Sequence, residues 1–595
     1  MPQAGSTPTR RAVLGGTLGA FGLLLVGCTP KGGENQTASG QPAGHRLLTL
    51  QTPAPCASWD PVEAGDVDTQ RVIRQMYDTL IGIDPATGAP APALAESWTV
   101  SEDGLEYSFV LRKSLTFHDG TPLDSAAVTT NFHRWMALGQ IDDPAVGTVS
   151  TLFDAVADPE ETTATPKDKG DDAPQSTKDD ADGAKEPTEK DPAPAPQTTT
   201  PDPLGKPNAL VLAPVSSVLP SDALTVRLTL KRPITPLIEA LTHPGFSIVN
   251  PAALKKADAL TGRAPKRGLD REDAGSGPYT ASVEADTVVL TAFEHHYLGA
   301  AELDEVRLTP KASAVRRAWD LTAGRIDGFD LVTVDTLKQL YQDTQQVLQR
   351  DPFSVAYLGM NQANEWLGDE RVRRAVAHAL DRNALLDGVF ISSTKPASSP
   401  LPPSLGVAAP PSGYGRDLAK AKRLLDSAGY DGTPIPFLYP TDVARPYLPL
   451  PERIFAVLSG QLGELGLAIE PLPMPWDHGY STAVINGKHA GFHLLGNQGT
   501  YRDPEVFLGS LFARRSPQLA YDSPEVRRRI RLARTLPDGE ERTAAYADIV
   551  ELITVDAPLL PLVYPISALA MAPKVSEYPV SPVLDEPLRN VKLSS

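Results

Sequence analysis

Residues 103–120 read DGLEYSFVLRKSLTFHDG. Within them, residues 104–118 alternate apolar and polar side chains with the two-residue period of strands that bury one face, and Asp119-Gly120 supplies a turn. Paired strands are therefore expected here. Asp124 and Ser125 follow as N-cap candidates for the helical run SAAVTTNFHRWMAL, so strand passes to helix within a few residues. The same mixture continues outward. A short strand is expected from Arg46 to Leu50, and Val72, Ile73, Met76, Tyr77 and Leu80 fall on one helical face. Leu224 to Leu230 alternates cleanly. Glu370 to Leu386 reads as a helix with Val372, Ala375, Val376, Ala379 and Leu380 inward. Asp417 caps another helix, which Gly429 ends. Ser523-Pro524-Glu525 starts a third, with proline at the first helical position and an acid at the positive end of the dipole. Asp538 with Glu541 predicts a capping box for a helix to Val555, and Pro558 to Tyr564 reads as a strand. Strands and helices mixed throughout predict α/β or α+β domains.

The chain has 595 residues, 41% of them hydrophobic, which is too long for one ordinary core. Its 55 basic and 73 acidic residues give a formal charge of −18 with no dense run of Lys or Arg. That balance argues against nucleic acid or an anionic lipid surface as electrostatic partner. Between Ala157 and Pro203 there is no Leu, Ile, Val, Met or aromatic residue, and 157–206 holds 13 acids against 6 lysines. Such a segment cannot bury a core and is read as a disordered surface insertion.

The opening TPTRRAVLGGTLGAFGLLLVGC has paired Arg10 and Arg11 ahead of a 14-residue apolar stretch, Val13 to Val26. That stretch is too short to span a bilayer stably and fits a signal peptide. Its twin arginine resembles the bacterial twin-arginine export signal, and Leu25-Val26-Gly27-Cys28 resembles a lipobox, in which Cys28 becomes the lipidated first residue of the mature protein. A polar tether, 29–45, follows. If Cys28 carries lipid, the only other cysteine, Cys56, has no disulfide partner.

No G-x-S-x-G, P-loop, H-E-x-x-H or C-x-x-C occurs, so no catalyst, metal or cofactor is expected. His295-His296 is a poor metal pair, since neighbours on a strand point to opposite faces. Gly275-Ser276-Gly277-Pro278-Tyr279 precedes a strand instead of a helix and reads as a tight turn, not a phosphate cradle.

Several segments, taken in order, resemble one family. They are Trp59-Asp60-Pro61; Met76 to Leu80; Pro92 to Trp98; Asp103 to Gly120; Gly275 to Tyr279; Leu321 to Asp327; Asp369 to Arg382; Ala419 to Tyr430; Asp503-Pro504; and Glu541-Arg542 with Asp556 to Pro561. Together they resemble the large extracytoplasmic solute-binding proteins of ABC importers, family 5, which include dipeptide-, oligopeptide- and nickel-binding members. The resemblance implies a type II periplasmic-binding-protein clamp of two lobes with a small additional subdomain. By analogy lobe I takes 46–90, 208–308 and 557–595, the subdomain 91–207, and lobe II 309–556, with hinge crossings near Thr309 and Asp556. It also implies a non-enzymatic monomer, lipid-anchored on the outer face of the bacterial cell membrane, that hands a peptide-like solute to the permease subunits. A non-peptide solute (an oligosaccharide, an amino acid conjugate or a metal chelate) is the alternative, and a surface hydrolase a weaker one.

In peptide-binding members of that family a second-lobe aspartate three residues before an Asp/Glu-Pro pair meets the peptide's α-amine. Counting back from Asp503-Pro504, that position is Thr500. A neutral threonine cannot compensate a buried ammonium, so Asp503 or a first-lobe acid such as Asp66 is expected to take the role, or the ligand is not a free-amine peptide. The ligand wall is assigned to Asn497, Gln498, Gly499, Thr500, Tyr501 and Arg502, with Arg502 available to an anionic group, and to Asp66 across the cleft.

Overall fold

In a computed structural model the described residues are 44–139, 215–264, 268–269, 272–583 and 586–594. Cys28, the signal segment and the insertion 157–206 lie outside them.

Two large sheets dominate residues 46–595. The first has seven strands, in the order Gln346–Arg350, Ser567–Met571, Gly328–Asp330, Leu47–Thr52, Glu305–Pro310, Thr287–Ala292 and Tyr279–Glu284. Leu47–Thr52 runs parallel to both of its neighbours. The second has six: Lys395–Pro396, Leu559–Tyr564, Ser354–Met360, Phe492–Gln498, Ile435–Thr441 and Ile469–Pro475. Ser354–Met360 is buried along its whole length. Its alternate side chains feed two cores: Ala356, Leu358 and Met360 one, Val355 and Tyr357 the other. A strand sandwiched between two helical layers must be apolar on both faces, which is why it shows no alternation.

The main chain passes from the first sheet to the second between Arg350 and Ser354, and returns between Tyr564 and Ser567. The two passages run side by side, because Arg350 pairs with Ser567 before them and Ala356 with Val563 after them. Pro352 and Pro565 sit in them and cannot donate a ladder hydrogen bond, so the sheet pairing is interrupted where the lobes join. The first crossing is therefore not near Thr309, whereas the second begins within ten residues of Asp556. Residues 309–350, read as lobe II, complete the seven-stranded sheet instead. Gly328–Asp330 has three residues, too few for alternation to reveal, and its place depends on pairing with strands far off in sequence.

The opening segment is half as expected. Glu106–Leu111 is a strand, but its partners are Ala95–Val100 and Thr225–Leu230, and Val215–Pro220 completes this four-stranded sheet. Residues 112–119 carry only an isolated bridge, Thr116 to Pro122. The subdomain thus includes 215–230, which the sequence reading gave to lobe I. Its helix Ser125–Leu138 is capped by Asp124, whose Oδ1 accepts from the backbone of Ala126 and Ala127. Asp417 and Ser523 cap their helices as expected, and Gly429 closes the first of these at φ +73°. The helix from Glu370 stops at Ala379, with Leu380 already extended. The capping box at Asp538 is not formed: Gly539 occupies the cap of Glu540–Asp556, and Asp538 reaches Arg542 at 3.0 Å instead.

Gly275 and Gly277 are needed for close approach. A Cβ on Gly275 would overlap the Met76 carbonyl oxygen, and one on Gly277 would lie 2.6 Å from that of Gln75. The segment packs across the end of helix Val67–Met76, which replaces the tight-turn reading. Beside it, buried His118 presents Nδ1 to Asp273 and Nε2 to the Gly277 carbonyl at 2.8 Å. Two acceptors on one ring require two N–H donors, hence the imidazolium. Burial alone would lower its pKa, but Asp273 and the carbonyl outweigh it and the pKa rises above 6.5. A raised histidine pKa stabilises the fold fully below the unfolded value of 6.5 and loses that stabilisation as pH climbs through the folded value. The melting temperature should therefore fall as pH rises above about 6.5 by more in the wild type than in His118→Gln. Equal slopes in the two proteins would remove the imidazolium from the account.

Candidate ligand cleft

The helix Val67–Met76 brings the first lobe's charge to the cleft. Asp66 caps it, with Oδ1 accepting from the backbone N–H of Asp68 and Thr69 at 3.0 and 3.1 Å and Oδ2 from the Thr69 hydroxyl at 2.7 Å. Its carboxylate is thereby committed to the helix terminus. The acid that faces the other lobe is Asp68, two residues on within the first turn. Its side chain, 3% exposed, lies 3.2 Å from Nη1 of Arg445, which comes from the loop after strand Ile435–Thr441. Arg445 stacks 4.4 Å over the Trp476 ring, and its Nε is buried without a hydrogen-bond partner. Tyr447, two residues on, lies flat on Gly496, where any Cβ would overlap its ring.

Behind Asp68 the charges continue toward the hinge. Asp68 meets Arg71 at 3.5 Å, Arg71 meets Asp330, and Asp330 meets Arg350 at 2.7 Å. Arg350 then reaches Glu586 at 2.5 Å, and Glu586 accepts from the Tyr578 hydroxyl at 3.2 Å. Arginines and carboxylates alternate from the cleft to the last residue before the first lobe crossing. Compensation is uneven. Burial opposes ionisation of Asp330, but Arg350 and Arg71 overcome it and hold the carboxyl below its usual range. At Asp68 burial wins over the longer contacts to Arg445 and Arg71 and pushes the pKa up to about 7. Asp68 is thus the weakly held member, and it is the one shared between the lobes.

The segment 497–502 is divided in its roles. Asn497 donates to the Phe507 carbonyl at 2.9 Å and shapes the loop. Gln498 Oε1 and Thr500 Oγ1 are buried with no hydrogen-bond partner. Gly499 donates to the Phe353 carbonyl at 2.9 Å, and a Cβ on it would overlap the Phe353 ring. Gly499→Ala should therefore lower stability by about 1–3 kcal/mol, measured by urea denaturation; an unchanged midpoint would show that Phe353 yields freely. Tyr501 is 3% exposed and packs in the apolar core of the subdomain. Arg502 does not offer its guanidinium to an anion: Nη1 donates to the Thr87 carbonyl at 2.8 Å and Nη2 to that of Ser404 at 3.1 Å. Asp503 is likewise taken, by Arg542 at 2.7 Å and by the backbone of Glu505.

Of the residues expected to form the wall, Gln498 and Thr500 thus keep buried polar atoms unsatisfied, whereas Asp66, Asn497, Tyr501 and Arg502 are engaged by the protein itself. Asp68, Arg445, Tyr447 and Trp476 went unread. The one hint was Arg445 standing alone in an apolar, proline-rich stretch, TDVARPYLPLP. No group of three or more His, Cys, Asp or Glu is placed to hold a metal ion among the described residues. His296 is buried beside Asp78 at 3.4 Å, while His295 faces solvent. Burial and the charge of Asp66 push the Cys56 thiol up to about 12, which leaves it unreactive.

Two lobes joined by paired crossings, with opposed charges meeting between them, are the architecture of solute-binding clamps. Residues 89–517 match the model of the bacterial extracellular solute-binding proteins, family 5. The chain belongs to that family. Heme-binding protein A of Haemophilus influenzae is 24% identical over 584 residues, covering 95% of this chain and 96% of the relative. The glutathione-binding protein GsiB of Escherichia coli is 25% identical over 520 residues, covering 85% and 86%. The fold is similar to that of a dipeptide-binding protein from Pseudoalteromonas sp. SM9913 in complex with Met-Leu, with a TM-score of 0.75, 19% identity and coverage of 92% of this chain and 100% of the other. This chain is therefore a family 5 solute-binding protein of the ABC-transporter type, with a type II periplasmic-binding fold, and its named relatives are a heme-binding and a glutathione-binding protein.

Proposed function

We propose that this family 5 protein is anchored by lipid on Cys28 to the outer face of the cell membrane, captures a peptide-like solute between its lobes and delivers it, as a monomer, to the permease subunits of an ABC importer. The observation that carries the reading is the Asp68–Arg445 pair, 3.2 Å apart across the cleft and buried. Arg445 offers a guanidinium oriented by Trp476 and holding an unused Nε, suited to a carboxylate. Asp68 is suited to an ammonium, since a cation that pairs with it more closely would restore its charge at neutral pH. A solute carrying both groups would replace one internal ion pair by two, and Gln498 and Thr500 hold buried oxygens free to accept neutral hydrogen bonds. Binding energy released only when both lobes touch the solute selects the closed form.

Thr500 favours solutes whose recognition does not rest on a second-lobe acid, and an amino acid conjugate satisfies the same two charges. Mass spectrometry of the compounds that copurify with the mature domain, followed by thermal shift with the identified compound, tests the reading. Short peptides or amino acid conjugates bearing a free carboxylate are expected. An uncharged sugar as the bound compound, or its chemical turnover by the pure protein, would overturn the proposal. Labelling of the full-length protein by a radioactive fatty acid, lost in Cys28→Ser, tests the anchor.

A further inference from the structure

On lobe II, a cavity of about 410 Å³ opens between the turn after helix Glu370–Ala379, the loop 413–416 and the start of strand Leu559–Tyr564. It shares no residue with the inter-lobe cleft described above. We propose that it is a second binding site, for a small organic carboxylate with an apolar body. Buried Leu380, Ile553 and Leu560 close its floor, and the apolar faces that stay partly accessible are those of Tyr414, Pro396 and Pro561. The volume falls within the range of about 300–1,000 Å³ usual for small-molecule sites.

Two guanidiniums border this space. Arg382 donates from Nε to the Pro561 carbonyl at 2.7 Å and from Nη1 to that of Tyr414 at 3.1 Å, so main chain from two separate segments fixes its plane. Nη2 donates to nothing among the described residues, yet it is not sealed from water. Among those residues no carboxylate pairs with Arg382, and burial lowers its pKa with only the Tyr564 phenol acting the other way. A cation held by neutral carbonyls is oriented without being neutralised, and an anion entering the cavity meets a fork that is already in place. Arg416 is 47% exposed, and its nearest carboxylates are Glu464 at 3.6 Å and Asp381 at 3.9 Å. Both lie beyond hydrogen-bond length, so Arg416 is free to turn to a closer partner. Asp381 is the one acid in the wall, and its Oδ1 accepts from the Asn383 N–H at 3.0 Å. Two guanidiniums against one carboxylate leave the lining one positive charge in excess, in a chain whose total is −18. That excess matches a single carboxylate. A phosphate dianion would be undercompensated and would face Asp381.

The test is isothermal titration of the mature protein with sodium benzoate, against sodium chloride at equal ionic strength. Saturable binding of benzoate is expected, weakened about tenfold or more in Arg382→Gln, several-fold in Arg416→Ala, and unchanged in Arg445→Ala. Ser398→Trp, which puts an indole at an exposed position of the lining, should abolish it. Arg382→Gln withdraws donors from two carbonyls and should melt lower than wild type, whereas Arg416→Ala and Ser398→Trp change exposed side chains and should not, so these two carry the test if the first fails to fold. Binding no stronger than that of chloride, equal binding by Arg416→Ala and Ser398→Trp, or loss of binding in Arg445→Ala would overturn the proposal. Retention of the copurifying solute by Ser398→Trp separates this site from the inter-lobe cleft, so either assignment can fail alone.

Discussion

Asp330→Ala should lower the stability of the protein by about 3–5 kcal/mol, read from the shift in urea denaturation. Asp330 is 3% exposed and stands between Arg71 and Arg350, whose side chains are 5% and 1% exposed. Deleting it leaves Arg350 on Glu586 and Arg71 with only the longer contacts to Asp68 at 3.5 Å and Glu586 at 3.8 Å. The penalty is that of an uncompensated buried charge rather than of a lost hydrogen bond. The pH dependence has a definite sign. Because the folded pKa of Asp330 lies below its unfolded value of 3.8, its stabilisation is fully present above that value and disappears as pH falls through the folded one. Asp330→Ala should therefore lie below wild type at neutral pH and converge with it in strong acid. A loss under about 1 kcal/mol at neutral pH would mean that water reaches the network and screens it.

Arg445→Ala should separate binding from stability. Affinity for the copurifying solute should fall by at least about hundredfold, or ~3 kcal/mol, as expected when one partner of a buried charged pair is truncated. Stability without solute should change much less, because Asp68, with a pKa near 7, can take up a proton once its partner is gone. Arg445→Lys keeps the charge but loses the planar fork and the stacking on Trp476, and should recover only part of the affinity. Titration calorimetry and thermal melts on the same preparations supply both readings. Affinity within about threefold of wild type in Arg445→Ala would place the solute elsewhere.

Much of the framework was legible because it depends on local chemistry. Asp124, Asp417 and Ser523 accept backbone N–H bonds whatever the fold around them, so their helices begin where the sequence says. The alternation of Glu106–Leu111, buried at every second residue, likewise reports one apolar face. The same rule fails for Ser354–Met360, where both faces are buried, and for the three residues of Gly328–Asp330. Those two strands decide where the first lobe gives way to the second, which is why the crossing expected near Thr309 lies instead between Arg350 and Ser354.

The cleft was harder to read, for a related reason. GNQGTYRDPE, 496–505, announces a polar loop between apolar runs, and two of its polar atoms do remain unsatisfied, on Gln498 and Thr500. Whether Arg502 meets a ligand or the Thr87 carbonyl is settled only by what the folded chain places 415 positions away. Asp68 and Arg445 lie 377 positions apart and neither has a local pattern that names the other. Most element types, the caps at Asp124, Asp417 and Ser523 and the order of segments that marks the family could be read directly, since each follows from neighbours along the chain. The lobe crossings and the charge pair across the cleft came only from the tertiary structure, because burial and long-range pairing set the energy of an ionised side chain.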